Sequence, residues 1–413
     1  MPAKKQKTTA EPISVTASTS VDFAFSEAQI ELALALISTC LADDLDGAKV
    51  LVGQGADAWV QDSEGWTALH CAASVGNTEM INLLLRSGNA VWSITDNLGN
   101  TAGDLAYSLN EGDAYEALLA EGVRSELIKS AMEEAAKASK TAATASDDEM
   151  DGDDEVEGEE DEAEPKLSTA SDNETFLKSS LIFTTDKSGQ EICVDKEGNG
   201  VMMGWEKGIM QATVKAILED FLERKTQSVE EVAEEELNVV NVGFGLGIID
   251  SFLQDYRPTN HLIIEPHPDV LGHARSKGWY EKPGVRFYEG TWQQYLADLE
   301  SEKEPYTAFD GVYFDTYSEH YSDLHAFFDV LPNMLRSPAS KFSFFHGLGA
   351  TSRLFYDVYT SVSELHLREI GLETRWEEVE LEGEGEGGAW EGVERRYWGD
   401  VGPYRLPVCW LDF

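Results

Sequence analysis

The spacing of apolar residues changes along this chain. Around residues 26–41 and 114–137 the spacing predicts helices, whereas beyond residue 172 short apolar runs alternate with helical stretches. Seven of the short runs predict strands, the last two as an antiparallel pair: 238–242, 261–264, 285–288, 309–314, 341–345, 373–381 and 404–411. Strands that alternate with helices in this way predict an α/β domain with a doubly wound, mostly parallel, Rossmann-like sheet.

A segment ahead of these strands has two interpretations. Residues 176–194 alternate like two strands joined by a turn, and a helix is predicted to end near residue 224. Between them lie Met202, Met203, Trp205 and Met210. These apolar side chains are either ordinary core residues or an N-terminal lid over a ligand, and their spacing favours neither.

Three glycines at alternate positions, Gly243, Gly245 and Gly247, end the first predicted strand of the sheet. Glycine lets the backbone pass close to a ligand because it has no Cβ. Glu265 ends the next strand, where an acid typically accepts hydrogen bonds from an adenosine ribose. Ile248 stands where the dinucleotide-binding pattern has its last glycine. The pattern therefore favours S-adenosylmethionine, which has no phosphate, over a nicotinamide or flavin dinucleotide or a turn without a ligand.

Further candidates follow later strands. Ligands bind at the carboxyl ends of strands in open α/β sheets, so Asp315 is expected to face the same crevice as Gly243 and Glu265. Thr291 and Trp292 follow the third strand, where many methyltransferases contact the adenine ring.

Two acids are candidates for chemistry on a guanidinium group. Guanidinium is protonated at physiological pH and its nitrogens are poor nucleophiles. An enzyme that methylates it needs carboxylates to hold it through paired hydrogen bonds, and a proton acceptor. Glu206 and Asp315 are the acids best placed for this, although Glu206 alone could be an exposed helical carboxylate. No cluster has metal-ligand spacing and no nucleophile-elbow sequence is present, so metal or acyl-transfer chemistry is not expected.

The N-terminal part contains a repeat with a period of 34 residues, in which Asp62 recurs as Asp96 and Thr67 as Thr101. This period is close to the roughly 33 residues of an ankyrin repeat, and residues 67–72 (TALHCA) resemble its T-P-L-H-x-A turn and helix start. The second copy has Gly-Asp in place of Leu-His, as expected of a terminal repeat. The sequence predicts two repeats between capping helices, in a small all-α domain that is either a protein-binding surface or a stabilising appendage.

The net charge of −46 opposes binding to nucleic acid, because the phosphates would be repelled, and favours basic protein partners. Residues 147–164 hold 13 acidic side chains among 18 and no basic one, which predicts an extended linker. The acids serve either solubility alone or the attraction of a basic substrate.

The four cysteines, Cys40, Cys71, Cys193 and Cys409, are far apart, which predicts buried reduced thiols rather than a zinc site. No apolar run is long enough to span a membrane and no signal peptide is visible. The basic residues within 1–7 predict a solvated tail or a weak nuclear signal. We expect a monomer in the cytoplasm and nucleus.

Five ordered motifs resemble the guanidinoacetate methyltransferase family and its fungal relatives, the type IV protein arginine methyltransferases: 201–206 (VMMGWE), 242–248 (VGFGLGI), 263–267 (IIEPH), 290–292 (GTW) and 309–317 (FDGVYFDTY). The resemblance implies a seven-stranded class I methyltransferase fold. It further implies monomethylation of the δ-nitrogen of arginine in proteins, including a large-subunit ribosomal protein. In having ankyrin-like repeats ahead of this domain, the chain resembles the fungal protein-modifying enzymes rather than the small-molecule one. The alternatives are a small-molecule guanidino methyltransferase and a non-catalytic ankyrin scaffold.

The resemblance also implies site residues. Glu206 and Asp315 would hold the guanidinium group as the catalytic acids. The residues that would bind S-adenosylmethionine are Phe176, Met202, Met210, Gly243, Phe244, Gly245, Leu246, Gly247, Ile248, Glu265, Pro266, His267, Thr291, Trp292 and Asp315. Leu246 and Gly247 depart from the Met and Ala common in relatives. The predicted division is a disordered tail (1–25), an ankyrin-repeat domain (26–138), an acidic disordered linker (139–172) and a methyltransferase domain (173–413).

Overall fold

The computed structural model describes residues 26–144, 173–186, 189–227, 236–317, 320–381, 390, 393, 396–399 and 401–412. It contains two compact units, Met1–Glu121 and Gly122–Phe413. The predicted tail, 1–25, and residues 145–172 of the predicted linker lie outside the described residues.

The first unit is built from paired helices. Its helices are α1 Glu27–Leu41, α2 Leu45–Gly53, α3 Ala68–Ser74, α4 Thr78–Ser87, α5 Ala102–Ser108 and the start of α6 Gly112–Thr144, which continues into the second unit. Helix α3 packs between α1 and α5. Small buried side chains such as Ala33, Ala68 and Ala72 allow this close packing.

The turns between the pairs repeat the same hydrogen bonds. The Oδ1 of Asp62 accepts from the backbone N–H groups of Glu64 and Trp66, and Asp96 accepts in the same way from Leu98 and Asn100, all at 2.8–2.9 Å. These bonds close each loop through a side chain, which is why aspartate recurs after one period.

The helix starts after these turns are also equivalent. Thr67 and Thr101 both cap their helices, with His70 and Asp104 as the reciprocal partners. The aspartate that replaces histidine in the second copy therefore preserves the capping box, so this departure from the ankyrin pattern leaves the helix start intact.

The second unit begins with a short helix and a small antiparallel sheet. Helix α7 spans Asn173–Leu177, and the strands are β1 Leu181–Thr185, β2 Glu191–Asp195 and β3 Gly200–Met202, in the order β1-β2-β3. The prediction of a strand beginning at Phe176 is wrong at its start, since Phe176 lies in α7 with its ring buried.

A seven-stranded sheet forms the centre of this unit. Its strands are β4 Asn238–Val242, β5 Asn260–Ile264, β6 Val285–Tyr288, β7 Gly311–Phe314, β8 Lys341–Phe344, β9 Leu372–Val379 and β10 Tyr404–Leu411. The order is β6-β5-β4-β7-β8-β10-β9, with β10 antiparallel to both β8 and β9 and the other pairs parallel. The predicted Rossmann-like sheet with a final antiparallel pair is confirmed. Strand β4 is the topological switch point, with the chain continuing to opposite sides of it.

Helices cover both faces of this sheet. Besides α7 and the end of α6, the described helices of the unit are α8 Lys207–Gln227, α9 Ile248–Asp255, α10 Pro268–Ser276, α11 Trp292–Glu300, α12 Tyr321–Phe328, α13 Leu331–Met334 and α14 Arg353–Glu369. Alternate residues of β4 face opposite sides: Val239 packs with α8, α9 and α10, and Val240 packs with α11, α12 and α13. Every residue of β4 is buried, as expected of a strand covered on both faces.

All four cysteines are free and buried, as predicted. Among the described helices, none is both long and apolar enough to cross a membrane. The described residues contain no group of three or more His, Cys, Asp or Glu side chains arranged to hold a metal ion.

Candidate active site

A cavity of about 270 Å³ lies at the carboxyl ends of β4, β5 and β7. Its described lining contains the carboxylates of Glu206, Glu265 and Asp315 together with His320, and no lysine or arginine. Most of the remaining wall is apolar or aromatic. The cavity therefore suits a ligand with positive charge and without phosphate groups, because phosphates would need cationic partners.

The predicted site residues divide into two sets. Those that line the cavity are Phe176, Met202, Glu206, Gly243, Gly245, Glu265, Pro266, Thr291, Trp292 and Asp315. Those outside the described lining are Met210, Phe244, Leu246, Gly247, Ile248 and His267. Several members of the second set hold the first in place.

The glycine-rich loop approaches protein atoms at each of its glycines. Gly243 has φ +96°, and a Cβ there would lie 1.9 Å from the backbone oxygen of Asp315. At Gly245, with φ +53°, a Cβ would meet the sulfur of Met202 at 2.5 Å. Glycine is thus required at these positions by protein packing, before any ligand is considered, because β4 packs against the end of β7 and against the small sheet.

Glu265 is tied to this loop. Its Oε2 accepts the backbone N–H of Phe244 at 2.9 Å, and its Oε1 accepts the N–H of His267 at 2.7 Å. Burial raises the pKa of Glu265 to about 7, although these backbone donors act in the opposite direction. The backbone N–H of Gly245 also favours the ionised carboxylate, and the acceptor capacity that these three donors leave is available to a hydroxyl group of a ligand.

Met202 and Phe176 close the N-terminal side of the cavity. The sulfur of Met202 lies 3.0 Å from the backbone nitrogen of Leu246, so the small sheet contacts the glycine loop directly. The Phe176 ring packs against the rings of His267 and Tyr317, with centroids 5.0 and 4.7 Å away. Burial lowers the pKa of His267, and its Nε2 lies 3.2 Å from the backbone oxygen of Phe176. A neutral His267 donating this bond would hold α7 beside the glycine loop.

Thr291 and Trp292 form the wall after β6. Thr291 caps α11 through a capping box with Gln294. The Trp292 ring is buried and packs edge-on against Phe327 and Phe314, with centroids 5.4 and 6.4 Å away. This wall is therefore held by the core rather than by a loose loop.

Two further acids, Glu206 and Asp315, line the remaining part of the cavity. Glu206 ends the 3-10 turn Gly204–Glu206 ahead of α8 and is only 3% exposed, while Asp315 follows β7. Burial, together with the charge of Asp315, raises the pKa of Glu206 well above its usual range. Withdrawal from water also raises the pKa of Asp315. No cationic side chain of the described lining neutralises them, so a cationic ligand would stabilise their ionised forms.

The interpretation of Glu206 as an exposed helical carboxylate is therefore wrong. Of the residues predicted to be either core or lid, Met203 and Trp205 are buried core residues. Met202 instead lines the cavity, as expected of a lid residue. Met210 is fully buried and its sulfur lies 3.3 Å from the Tyr313 hydroxyl.

Sequence reasoning missed several lining residues, chiefly Tyr317, His320, Phe345, Leu348 and Tyr397. Tyr317 and Phe345 follow the ends of β7 and β8, and the strand-end rule that selected Asp315 could have found them. Tyr397 precedes β10 in a segment with no recognisable motif, so only the folded structure brings it to the cavity.

The Rossmann-like fold, the acid-lined cavity and two family matches together define a methyltransferase domain that follows ankyrin repeats. Residues 198–365 match the guanidinoacetate N-methyltransferase family, and residues 36–128 match ankyrin repeats in three copies. The second match corrects the interpretation of two repeats between capping helices, because it extends into both α1 and α6.

Relatives extend over almost the whole chain. A protein arginine N-methyltransferase 2 from Cryptococcus neoformans is 37% identical over 87% of this chain and 90% of its own length. Proteins of the same name from Neurospora crassa (33% identity, 91% of this chain and 94% of its own length) and Aspergillus oryzae (36%, 80% and 77%) are also similar. The chain belongs to the protein arginine N-methyltransferase 2 family. It is thus a methyltransferase acting on protein arginine.

Proposed function

We propose that this protein transfers one methyl group from S-adenosylmethionine to the δ-nitrogen of arginine in proteins, as a type IV enzyme, with a large-subunit ribosomal protein among its substrates. The observation that carries the proposal is the pair of buried acids, Glu206 and Asp315, in a cavity whose described lining has no lysine or arginine. The family relationship supports arginine as the acceptor. The choice of the δ-nitrogen rests on the resemblance of the five motifs to type IV enzymes.

The cavity residues fit S-adenosylmethionine better than a dinucleotide. Glu265 would accept the ribose hydroxyls through its remaining lone pairs, and Thr291 and Trp292 would border the adenine. Gly243 and Gly245, beside Met202 and Phe176, would border the amino-acid part and the sulfonium. When bound, S-adenosylmethionine supplies a methyl group on a positively charged sulfur.

The two acids would act on the guanidinium group. Carboxylates on two sides hold the planar group through directional hydrogen bonds and localise its positive charge away from the reacting nitrogen. A carboxylate whose pKa is raised is also a better proton acceptor at neutral pH, which suits either acid to receive the proton released as the new bond forms. Orientation and proton transfer would thus come from the same two side chains.

The ankyrin repeats are proposed to bind the protein substrate. A guanidino enzyme that acts only on small molecules would not need them, so a deletion separates the two functions. Removing residues 1–111 eliminates α1–α5 and keeps α6 whole. We expect this variant to lose turnover on protein substrates while retaining S-adenosylmethionine binding. Location in the cytoplasm and nucleus and a monomeric state stay predictions.

The proposal is tested by incubating the full chain with labelled S-adenosylmethionine and a ribosomal protein fraction. The product is hydrolysed and the methylarginine is fragmented in a mass spectrometer. A δ-methyl fragmentation pattern is expected. An ω-methyl pattern would contradict the position of methylation but not the class of enzyme, and label found only on free guanidinoacetate would favour the small-molecule function.

A further inference from the structure

The hydroxyl of Tyr397 donates a hydrogen bond to Oε1 of Glu206. Tyr397 belongs to the segment between β9 and β10, far from Glu206 in sequence, and lines the same cavity as Glu206 and Asp315. Among the described residues, Tyr397 supplies the side-chain hydroxyl that is hydrogen-bonded to Glu206. The last part of the chain thus reaches the group proposed to hold the substrate.

The Tyr397 ring is held by aromatic neighbours. Its centroid lies 4.9 Å from that of Trp390 in an edge-on contact, 6.1 Å from Trp205 in a stacked contact and 6.3 Å from Phe345. Because Trp205 directly precedes Glu206, one cluster positions both the donor and the acceptor of the hydrogen bond. Rings restrained in this way fix the direction of a hydroxyl at little further entropic cost.

We propose that Tyr397 is a positioning residue for arginine methylation, whose hydroxyl holds Oε1 of Glu206 so that Oε2 remains available to the substrate guanidinium. The proposal rests on the role of Glu206 given above. Without the hydroxyl, the Glu206 carboxylate would keep the backbone hydrogen bond from Met203 but would be less restrained in rotation about its last bond. Precise carboxylate orientation matters because the guanidinium offers its donors in a rigid plane.

The ionisation of the surrounding groups supports this arrangement. Burial and the neighbouring Glu206 charge raise the pKa of Tyr397 well above its usual range, so the hydroxyl stays protonated and remains a donor. In turn the hydrogen bond lowers the pKa of Glu206, against the larger effects of burial and Asp315. The other titratable groups that act on this pair are the tyrosines at 313, 317 and 404.

The test compares the full-length Tyr397→Phe variant with the wild type in arginine methylation across pH 6–9. Loss of a hydrogen bond to a charged group predicts a roughly tenfold decrease in kcat/KM at pH 7. The acidic limb of the pH–rate profile should move to higher pH by about one unit, because Glu206 loses a donor that favours its ionised form. The Kd for S-adenosylmethionine, measured by calorimetry, should remain within about twofold of the wild type.

The matched control is Tyr280→Phe, which removes a tyrosine hydroxyl that donates to Glu289 at 2.9 Å outside the described cavity lining. It should leave both the rate and the profile unchanged. A Tyr397→Phe profile with its acidic limb in the wild-type position would overturn the proposal, even if the rate were lower, because a general packing defect would scale the rate at every pH.

A double variant guards against loss of stability as an explanation. If the hydroxyl acts through Glu206, adding Tyr397→Phe to Glu206→Gln should change the residual single-turnover rate by less than about twofold. A further tenfold loss would contradict the proposal. The assay counts methyl groups on arginine whether they are on the δ-nitrogen or on an ω-nitrogen. Its outcome is therefore independent of the δ-nitrogen assignment. If the wild type methylates only guanidinoacetate, the same comparison is made with that substrate.

Discussion

Replacing Glu265 by glutamine should reduce the dependence of stability on pH. Glu265 is 5% exposed, and burial raises its pKa from 4.5 to about 7. A carboxyl whose pKa is raised on folding binds its proton more tightly in the folded protein. Its contribution to stability is therefore complete below pH 4.5 and is lost as the pH rises through 7.

The size of the effect follows from the size of the shift. Between the unfolded and folded pKa values, the stabilisation from this proton falls by about 1.4 kcal/mol for each pH unit. From pH 5.5 to the folded pKa of about 7 the pH rises by roughly 1.5 units. The free energy of unfolding of the wild type should thus fall by about 2 kcal/mol relative to Glu265→Gln between pH 5.5 and pH 8. Glutamine cannot titrate, so the variant lacks this contribution.

The assay is urea denaturation of both proteins at several pH values across this range. Glu289→Gln is the control, because the pKa of Glu289 is lowered by Arg275 and its contribution is constant above pH 5.5. The free energy of unfolding of the wild type minus that of Glu265→Gln should fall by about 2 kcal/mol from pH 5.5 to pH 8, whereas the corresponding difference for Glu289→Gln should stay constant. A constant difference for Glu265→Gln, within about 0.5 kcal/mol, would refute the assignment of a raised pKa to this carboxyl.

Three further predictions test other parts of the molecule. Glu206→Gln and Asp315→Asn should each lower methyl transfer by about 10²–10⁴-fold, and in Glu206→Gln the S-adenosylmethionine affinity, measured by calorimetry, should change by less than about threefold; wild-type rates in either would contradict the catalytic roles. Gly243→Ala should destabilise the protein by more than about 2 kcal/mol, because its Cβ would overlap the Asp315 backbone oxygen. Gly55→Ala, where φ is also positive and no atom lies within 4 Å, should cost only about 1 kcal/mol, so equal shifts in thermal unfolding would exclude the overlap. Asp96→Ala should destabilise the repeats by about 1–3 kcal/mol in the same measurement, since it leaves the N–H groups at 98 and 100 without this acceptor, and an unchanged midpoint would contradict that.

Local patterns explain why much of the site could be predicted. Glu265 and Asp315 lie at strand ends, and the alternation of apolar runs determines both the strands and the edge of the sheet at which they end. The 34-residue recurrence of Asp62 as Asp96 likewise reflects hydrogen bonds that each turn makes within itself. In both cases the physical cause lies within a few residues, so one sequence suffices to reveal it.

Long-range contacts explain what could not be predicted. Glu206 interacts with Asp315 and Tyr397, which are distant in sequence, and nothing near Glu206 distinguishes it from a solvated helical acid. The sequence pattern explains the glycine loop by the approach of a ligand. In the structure, a Cβ added at Gly243 would overlap the backbone carbonyl oxygen of Asp315.

The sequence by itself determined the two-part architecture, the seven strands and the two strand-end acids, because hydrophobic periodicity and turn chemistry are local. Only the tertiary structure decided that Glu206 is buried in the same cavity as Asp315, that Met210 and His267 lie outside the described cavity lining, and that Tyr397 reaches Glu206. Those outcomes depend on desolvation and on contacts between segments far apart in the chain, which no local pattern encodes.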